Sequence, residues 1–188
     1  MSCEESVGIR VAMPAALGLF LVSYIAMMVG LVMFGFGAAP ANKAMVFEFL
    51  PWAAAAFGLL AAVSFLDENL FDAVLFGMLA VFFWSLPGVV ANGPSFADIA
   101  MFILFAAAFL LIMTFLSLNL PIRMVTGVLL LAGITFTLLG VWVYQGMVGG
   151  LVETLTALFA VLLGLLSAYL PAALIYNSMA GEDVLPVL

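Results

Sequence analysis

Apolar residues fill most of this chain in six long stretches, which short segments rich in glycine, proline, asparagine or charge separate. The stretches show no strict alternation of apolar and polar residues, which excludes the strand pattern of a membrane β-barrel. Each is about 20 residues long, the length of an α-helix that crosses a lipid bilayer. The pattern therefore predicts six transmembrane helices, over residues 11–36, 44–65, 73–90, 97–118, 122–144 and 153–176.

The connections between the predicted helices are short, so consecutive helices should run antiparallel in one compact bundle. We expect a single transmembrane domain at residues 11–176, with an N-terminal tail at 1–10 and a C-terminal tail at 177–188. The first apolar stretch is too long for the apolar part of a signal peptide, and Arg10 is the only cation before it. We interpret this stretch as a membrane span that the chain keeps.

Composition supports the same class. Hydrophobic residues make up 69% of the chain and charged residues 7%, and the mean hydropathy is +1.43. A soluble domain has about 25% charged residues, so this chain could not cover a water-facing surface with polar groups. The sequence therefore predicts an all-α integral membrane protein.

The few basic residues predict its orientation. An even number of spans places both termini on the same side, together with Arg10 and Arg123, whereas Lys43 lies on the other side. Because basic loops favour the cytoplasmic side, we expect both termini in the cytoplasm and the protein in the cytoplasmic membrane. The formal net charge of −7 argues against a nucleic-acid partner.

The chain is poor in residues that carry out catalysis or bind metals. It has no histidine and a single cysteine, Cys3, so we expect no metal and no other cofactor. No cluster of titratable residues supports an enzymatic reaction. Asp98 and Glu153 lie in first turns, where a carboxylate caps a helix. Glu48 lies inside the second span and has two interpretations, an interfacial carboxylate that reaches lipid headgroups or a group in a pore vestibule.

Small and hydroxyl-bearing residues remain as candidates for a path through the bundle. Ala160, Gly164 and Ala168 recur at four-residue spacing, which favours close helix packing. A helix that faces only lipid has no need of hydroxyl groups, and the spans contain Ser23, Tyr24, Ser85 and Tyr169. A path of alkyl groups, rings and a few hydroxyls suits small neutral solutes or weak acids that can be protonated, and it suits multiply charged ions poorly.

The two ends of the chain resemble a known family, the acetate uptake transporters that include the succinate–acetate permease. That family begins its first span with Asn-Pro-Ala-Pro-Leu-Gly-Leu, and this chain has Met13, Pro14, Ala15, Ala16, Leu17, Gly18 and Leu19 there. The end of the family pattern matches Tyr169, Leu170, Asn177, Gly181, Val184, Leu185 and Pro186 at the same spacing. Phe83 and Trp84 in the third span, and Arg123 at the start of the fifth, also fit the pattern.

The resemblance implies a homo-hexamer of six-helix protomers with cytoplasmic termini. Each protomer would carry its own path for acetate or a similar small monocarboxylate, and both proton-coupled uptake and channel-like permeation are compatible with the family. Residues 13–18 would form the pore entrance. The first, third and fifth helices would form an apolar constriction, at Val22, at Leu79 or Ala80, and at Leu131 or Ala132. Glu48 and Asn177 join the hydroxyl groups as further candidates for the path.

The chain departs from the family pattern at its entrance. Met13 replaces the asparagine whose amide could donate to a carboxylate, and Ala16 replaces the second proline. Two alternatives to carboxylate transport therefore stay open. One is a passive pore for a neutral small solute such as urea, ammonia or an undissociated acid. The other is a structural or accessory membrane subunit that transports nothing.

Overall fold

The computed structural model describes residues 3–36, 40–92, 95–182 and 184–187, with side chains from residues 14–36, 48–92, 95–182 and 184–187. Within these ranges the chain forms six α-helices and no strand. They are α1 (Cys3–Met33), α2 (Pro40–Leu66), α3 (Leu70–Asn92), α4 (Phe96–Ser117), α5 (Arg123–Tyr144) and α6 (Leu151–Ala180). All six are long and apolar enough to cross a membrane, and the predicted all-α membrane protein is confirmed.

The first and last helices extend beyond the predicted spans. Helix α1 begins at Cys3, inside the segment 1–10 expected as a tail, although its membrane-type stretch starts only at Pro14. Helix α6 continues to Ala180, inside the expected tail 177–188, and Gly181 follows with a left-handed φ of 74°. Charged and polar residues do not interrupt the backbone hydrogen bonds of a helix, whereas a left-handed glycine ends them. The polar ends of the chain are therefore helical for several residues beyond the apolar spans.

The six helices form a closed ring in chain order. The most extensive contacts join α1 to α6, α2 to α3 and α4 to α5, and smaller contacts join the remaining neighbours along the chain. Because consecutive helices run antiparallel, the start of α1 and the end of α6 lie at one end of the bundle. We call this end the terminal face, and the end that carries the α1–α2, α3–α4 and α5–α6 connections the opposite face.

Helices α1 and α6 approach closely because glycines lie at their contact. A Cβ on Gly30 would lie 2.7 Å from Cγ2 of Val161, and one on Gly164 would lie 2.5 Å from Cγ of Met27. The Ser23 hydroxyl donates a hydrogen bond of 2.7 Å to the Gly164 carbonyl across this contact. The contact closes the ring, because it joins the first helix to the last.

Helices α4 and α5 also pack closely at glycines. A Cβ on Gly133 would lie 2.6 Å from Leu111, and one on Gly140 would lie 2.7 Å from Leu104. Small residues let helix backbones approach in a bilayer, where van der Waals packing is a main source of helix association.

The outer surface of the ring is apolar. Large side chains such as Trp52, Trp84 and Phe105 are more than half exposed there. A surface of this kind would aggregate in water, and it suits contact with lipid or with other apolar helices.

We predict that Gly164→Ala destabilises the protein by about 1–3 kcal/mol, because the new methyl group would overlap Met27 and force α1 away from α6. Gly127→Ala is the matched control, since nothing lies within 4 Å of its Cβ position. The control should be neutral or slightly stabilising, because alanine favours helix more than glycine does. Unfolding of the detergent-solubilised variants measures both effects, and equal stability of the two variants would contradict the packing account.

Candidate functional site

The ring encloses a central cavity of about 340 Å³ that runs along the bundle axis. At the terminal face its wall includes Ala15 on α1, Asp72 on α3 and Val125 on α5. At the opposite face the wall includes Val90 and Glu153. The cavity therefore follows the direction that a solute would take across the bilayer.

Three alternate helices supply most of the wall. Helices α1, α3 and α5 contribute about three quarters of its residues, whereas α4 and α6 contribute three each and α2 contributes only Leu50. On α3 the wall residues recur at helical spacing and form one stripe, which consists of Asp72, Leu75, Phe76, Leu79, Phe82, Phe83, Leu86 and Val90. The first, third and fifth helices are those that the resemblance implied for a path.

The wall is almost entirely hydrocarbon. Of its few polar residues, Thr135 donates its hydroxyl to the Leu131 carbonyl at 2.7 Å, and the indole of Trp142 donates to the Val148 carbonyl at 3.2 Å. Both donors are therefore used within the protein. The carboxyl groups of Asp72 and Glu153 remain as the charged groups of the described wall.

Aromatic rings line the middle of the cavity. Phe82 packs against Phe83 with ring centroids 5.3 Å apart and against Phe136 at 5.3 Å, and all three rings line the wall. Phe102 and Phe57 support them from behind, at 5.1 Å from Phe82 and 5.7 Å from Phe83. Centroid separations of this size are typical of attractive ring pairs. The rings therefore hold one another in place on the cavity wall.

The predicted constriction residues divide into two groups. Val22, Leu79 and Ala132 line the cavity, whereas Ala80 and Leu131 do not. The structure thus places Leu79 and Ala132 on the wall, where the sequence left two neighbours open in each helix. Sequence reasoning missed the rings beside them on the same stripe, because several phenylalanines in an apolar span look alike without the packing.

The predicted entrance segment contributes little of its own to the wall. Ala15 lines the cavity, Pro14 and Ala16 are buried outside the wall, and Leu17 is 60% exposed. The side chain of Met13 lies outside the described residues.

Gly18 affects the cavity through its contact with Phe76. The position where its Cβ would stand is occupied by the ring of Phe76, which lines the cavity. Gly18, near the start of the membrane-type stretch of α1, therefore makes room for an aromatic ring of α3.

The remaining path candidates lie away from the cavity wall. Tyr24 and Glu48 are exposed, and Ser85 is half-buried outside the wall. The Ser23 hydroxyl is used between α1 and α6, as described above. For these four residues the structure offers no contact with the cavity.

Two residues of the matched end motif, Tyr169 and Asn177, bind the C-terminal segment and do not line the cavity. The amide of Asn177 donates to the Leu185 carbonyl at 2.8 Å, and its oxygen accepts from the N–H groups of Val184 at 3.1 Å and Leu185 at 2.8 Å. The Tyr169 hydroxyl donates to the Pro186 carbonyl at 3.1 Å. These hydrogen bonds hold residues 184–186 against α6, which accounts for the spacing of the motif.

Asp72 is a charged wall residue that sequence reasoning did not single out. It lies in the first turn of α3, where the Asn69 amide donates to its Oδ2 at 2.8 Å. In return, the Asp72 N–H donates to the Asn69 side-chain oxygen at 3.2 Å. This reciprocal pair resembles a capping box, with Asn69 in the place of the N-cap residue. The spacing of Asn69 and Asp72, followed by the apolar stripe of α3, is a signal that could have found it.

Glu153 was predicted as a helix cap, and it also borders the cavity. It lies in the first turn of α6, half-buried on the wall at the opposite face. Its Oε2 lies 3.2 Å from the position where a Cβ on Gly149 would stand, so the side chain folds back over the loop before α6.

In the described part of the chain, no three His, Cys, Asp or Glu side chains lie together in a way that could hold a metal ion. Asp72 and Glu153 lie at opposite ends of the cavity and so cannot share one site.

Comparison with known proteins gives a structural likeness without a sequence match. No protein-family model matches the chain, and no curated protein sequence matches it. Among solved structures, the bacterial acetate channel SatP superposes with a TM-score of 0.82, over 93% of this chain and 98% of that one. The chain has the fold of SatP. At 18% identity, the likeness to SatP shows the fold alone.

We predict that Gly18 and Phe76 are energetically coupled. Gly18→Ala should destabilise the protein by about 1–3 kcal/mol, because the methyl group would overlap the Phe76 ring. Phe76→Leu in the same chain should recover part of that loss, which gives a coupling energy of about 0.5–3 kcal/mol in a double-mutant cycle of unfolding free energies. Phe102→Leu is the control partner, because the Phe102 ring is not among the atoms nearest the Cβ position of Gly18. Additive effects of Gly18→Ala and Phe76→Leu would contradict the coupling.

Proposed function

We propose that this protein is a divergent member of the acetate uptake transporter family, and that each protomer carries acetate or a similar short monocarboxylate through its central cavity. The observation that carries the proposal is the cavity itself. It runs between the two faces of a bundle with the fold of an acetate channel, and its wall comes chiefly from α1, α3 and α5. The motifs at both ends of the chain support the same family.

The proposal includes the assembly and orientation that the resemblance implies. The protein is a homo-hexamer in the cytoplasmic membrane, with both termini in the cytoplasm. The apolar outer surface, with exposed rings such as Trp52 and Trp84, supports contact with lipid and with neighbouring protomers. The wall favours monocarboxylates over succinate, because a second charged group would find no basic partner among the described wall residues.

A pore for a neutral solute is the second candidate, and a specific observation favours it. The described wall carries two carboxyl groups and no Lys or Arg, so it offers nothing that attracts an anion. A purely structural subunit receives less support, because an aligned cavity of about 340 Å³ has no role in a bundle that only packs.

Uptake of labelled acetate into proteoliposomes tests the proposed function. We expect uptake above that of protein-free liposomes, because the cavity offers a path across the bilayer. The measurement is repeated with and without an inward proton gradient. Accumulation above equilibrium that requires the gradient supports entry of one proton with each acetate, either by symport or as the undissociated acid, whereas uptake that the gradient does not change supports a channel for the anion.

Urea in the same vesicles is the comparison solute, and osmotic swelling measures its entry. Acetate uptake no faster than in protein-free liposomes would contradict the proposed function. Urea entry in the absence of acetate uptake would favour the neutral-solute pore.

A further inference from the structure

A carboxyl group borders each end of the central cavity. Asp72 lies on its wall at the terminal face and Glu153 at the opposite face. The two residues stand on different helices, α3 and α6, and both side chains are half-buried. A solute that enters from either side therefore passes a group with a formal negative charge.

No basic side chain balances these groups on the described wall. At the terminal face the nearby turns carry Asp67, Glu68 and Arg123, all exposed and none on the wall. At the opposite face Asp98 and Tyr144 lie at helix ends and are likewise exposed outside the wall. Pores that conduct anions use rings of Arg or Lys, and the described wall has the opposite character.

The wall between the two carboxyl groups provides no polar partner that could replace the hydration water of an anion. Hydrocarbon and phenylalanine rings surround that part of the cavity, and the Thr135 hydroxyl is already donated to a carbonyl. An ion that leaves water for such surroundings without a partner loses much of its hydration energy, and a protonatable group becomes neutral instead. An undissociated carboxylic acid carries no charge, and its O–H can donate to a carboxyl oxygen at the entrance.

From these observations we infer that the carboxylic solute crosses as the undissociated acid, and that Asp72 and Glu153 are specificity-determining residues that keep its anion out of the cavity. The inference rests on the proposed function and names the form of the substrate. Because Asn69 donates to Oδ2 of Asp72, the carboxyl group at the terminal face is held in place by its neighbour. Since the undissociated acid carries no charge, flux through the protein is electroneutral. A neutral solute of the same shape, such as acetamide, also passes.

The test compares charge movement with acid entry in the full-length protein. In proteoliposomes that contain a pH-sensitive dye, an acetate gradient should acidify the interior faster than in protein-free vesicles. In planar bilayers the same gradient should drive no current. Acetamide should enter the proteoliposomes in an osmotic-swelling assay. An acetate current that reverses at the potential set by the acetate gradient would overturn the inference.

Charge removal tests the two residues themselves. The double variant Asp72→Asn, Glu153→Gln keeps the shape of both side chains, and it should lower the preference for acetamide over the acetate anion about tenfold or more. The matched control is Asp67→Asn, Glu48→Gln, which removes the same charge from two exposed residues off the wall. The control should keep the wild-type preference. An equal loss in both pairs would overturn the assignment to Asp72 and Glu153.

Two further results separate the possible failures. Asp72→Glu keeps the charge and should keep the preference, so the residue remains testable if the asparagine variant does not fold. A wild-type acetate current together with acetate uptake would leave the proposed function standing and overturn this inference. Acid and acetamide fluxes that both equal those of protein-free vesicles, without any current, would overturn the proposed function and this inference with it.

Discussion

Gly18 has no side chain, and the ring of Phe76 occupies the space where one would be. This contact places an aromatic ring of α3 against α1 and thereby sets how far that ring extends into the central cavity. Any larger residue at position 18 would have to move the ring or separate the two helices, because its Cβ would overlap the ring atoms of Phe76. The position of the Phe76 ring in the cavity near the terminal face therefore depends on the lack of a side chain at Gly18. The glycine contacts between α1 and α6 act in the same way on the ring of helices, since they let its two ends meet.

The six spans could be predicted from the sequence because each is a long apolar run, and the bilayer fixes the length of such a run. The role of Gly18 could not be predicted in the same way, since it depends on Phe76, a residue 58 positions along the chain. The same limit applies to Asn177. Its place in the end motif was visible, but its hydrogen bonds to residues 184 and 185 hold the tail. It is not among the residues of the cavity wall. Asp72 was within reach of sequence reasoning, because Asn69 precedes it at capping distance.

A wall made of hydrocarbon also explains how a fold can be shared at 18% identity. Alkyl side chains and rings can replace one another along an apolar span when total volume is kept, so the ring of helices tolerates extensive change. Polar positions are less interchangeable. The two carboxyl groups therefore set the chemistry of the described wall, which the fold alone does not determine. Met13 stands where the resembling family has an asparagine, so the predicted entrance also lacks a donor for an anion. Each of these features disfavours a bare anion.

The central claim is that solute crosses the protein through the cavity between α1, α3 and α5, and blocking that cavity tests it most directly. Leu79 lies on the cavity wall, whereas Val81, two residues along the same helix, is 62% exposed on the outer surface. Acetate uptake into proteoliposomes is measured for Leu79→Trp and Val81→Trp, with helix content and thermal unfolding as folding controls. The account predicts that Leu79→Trp abolishes uptake while Val81→Trp retains it. Wild-type uptake in a folded Leu79→Trp protein would contradict it.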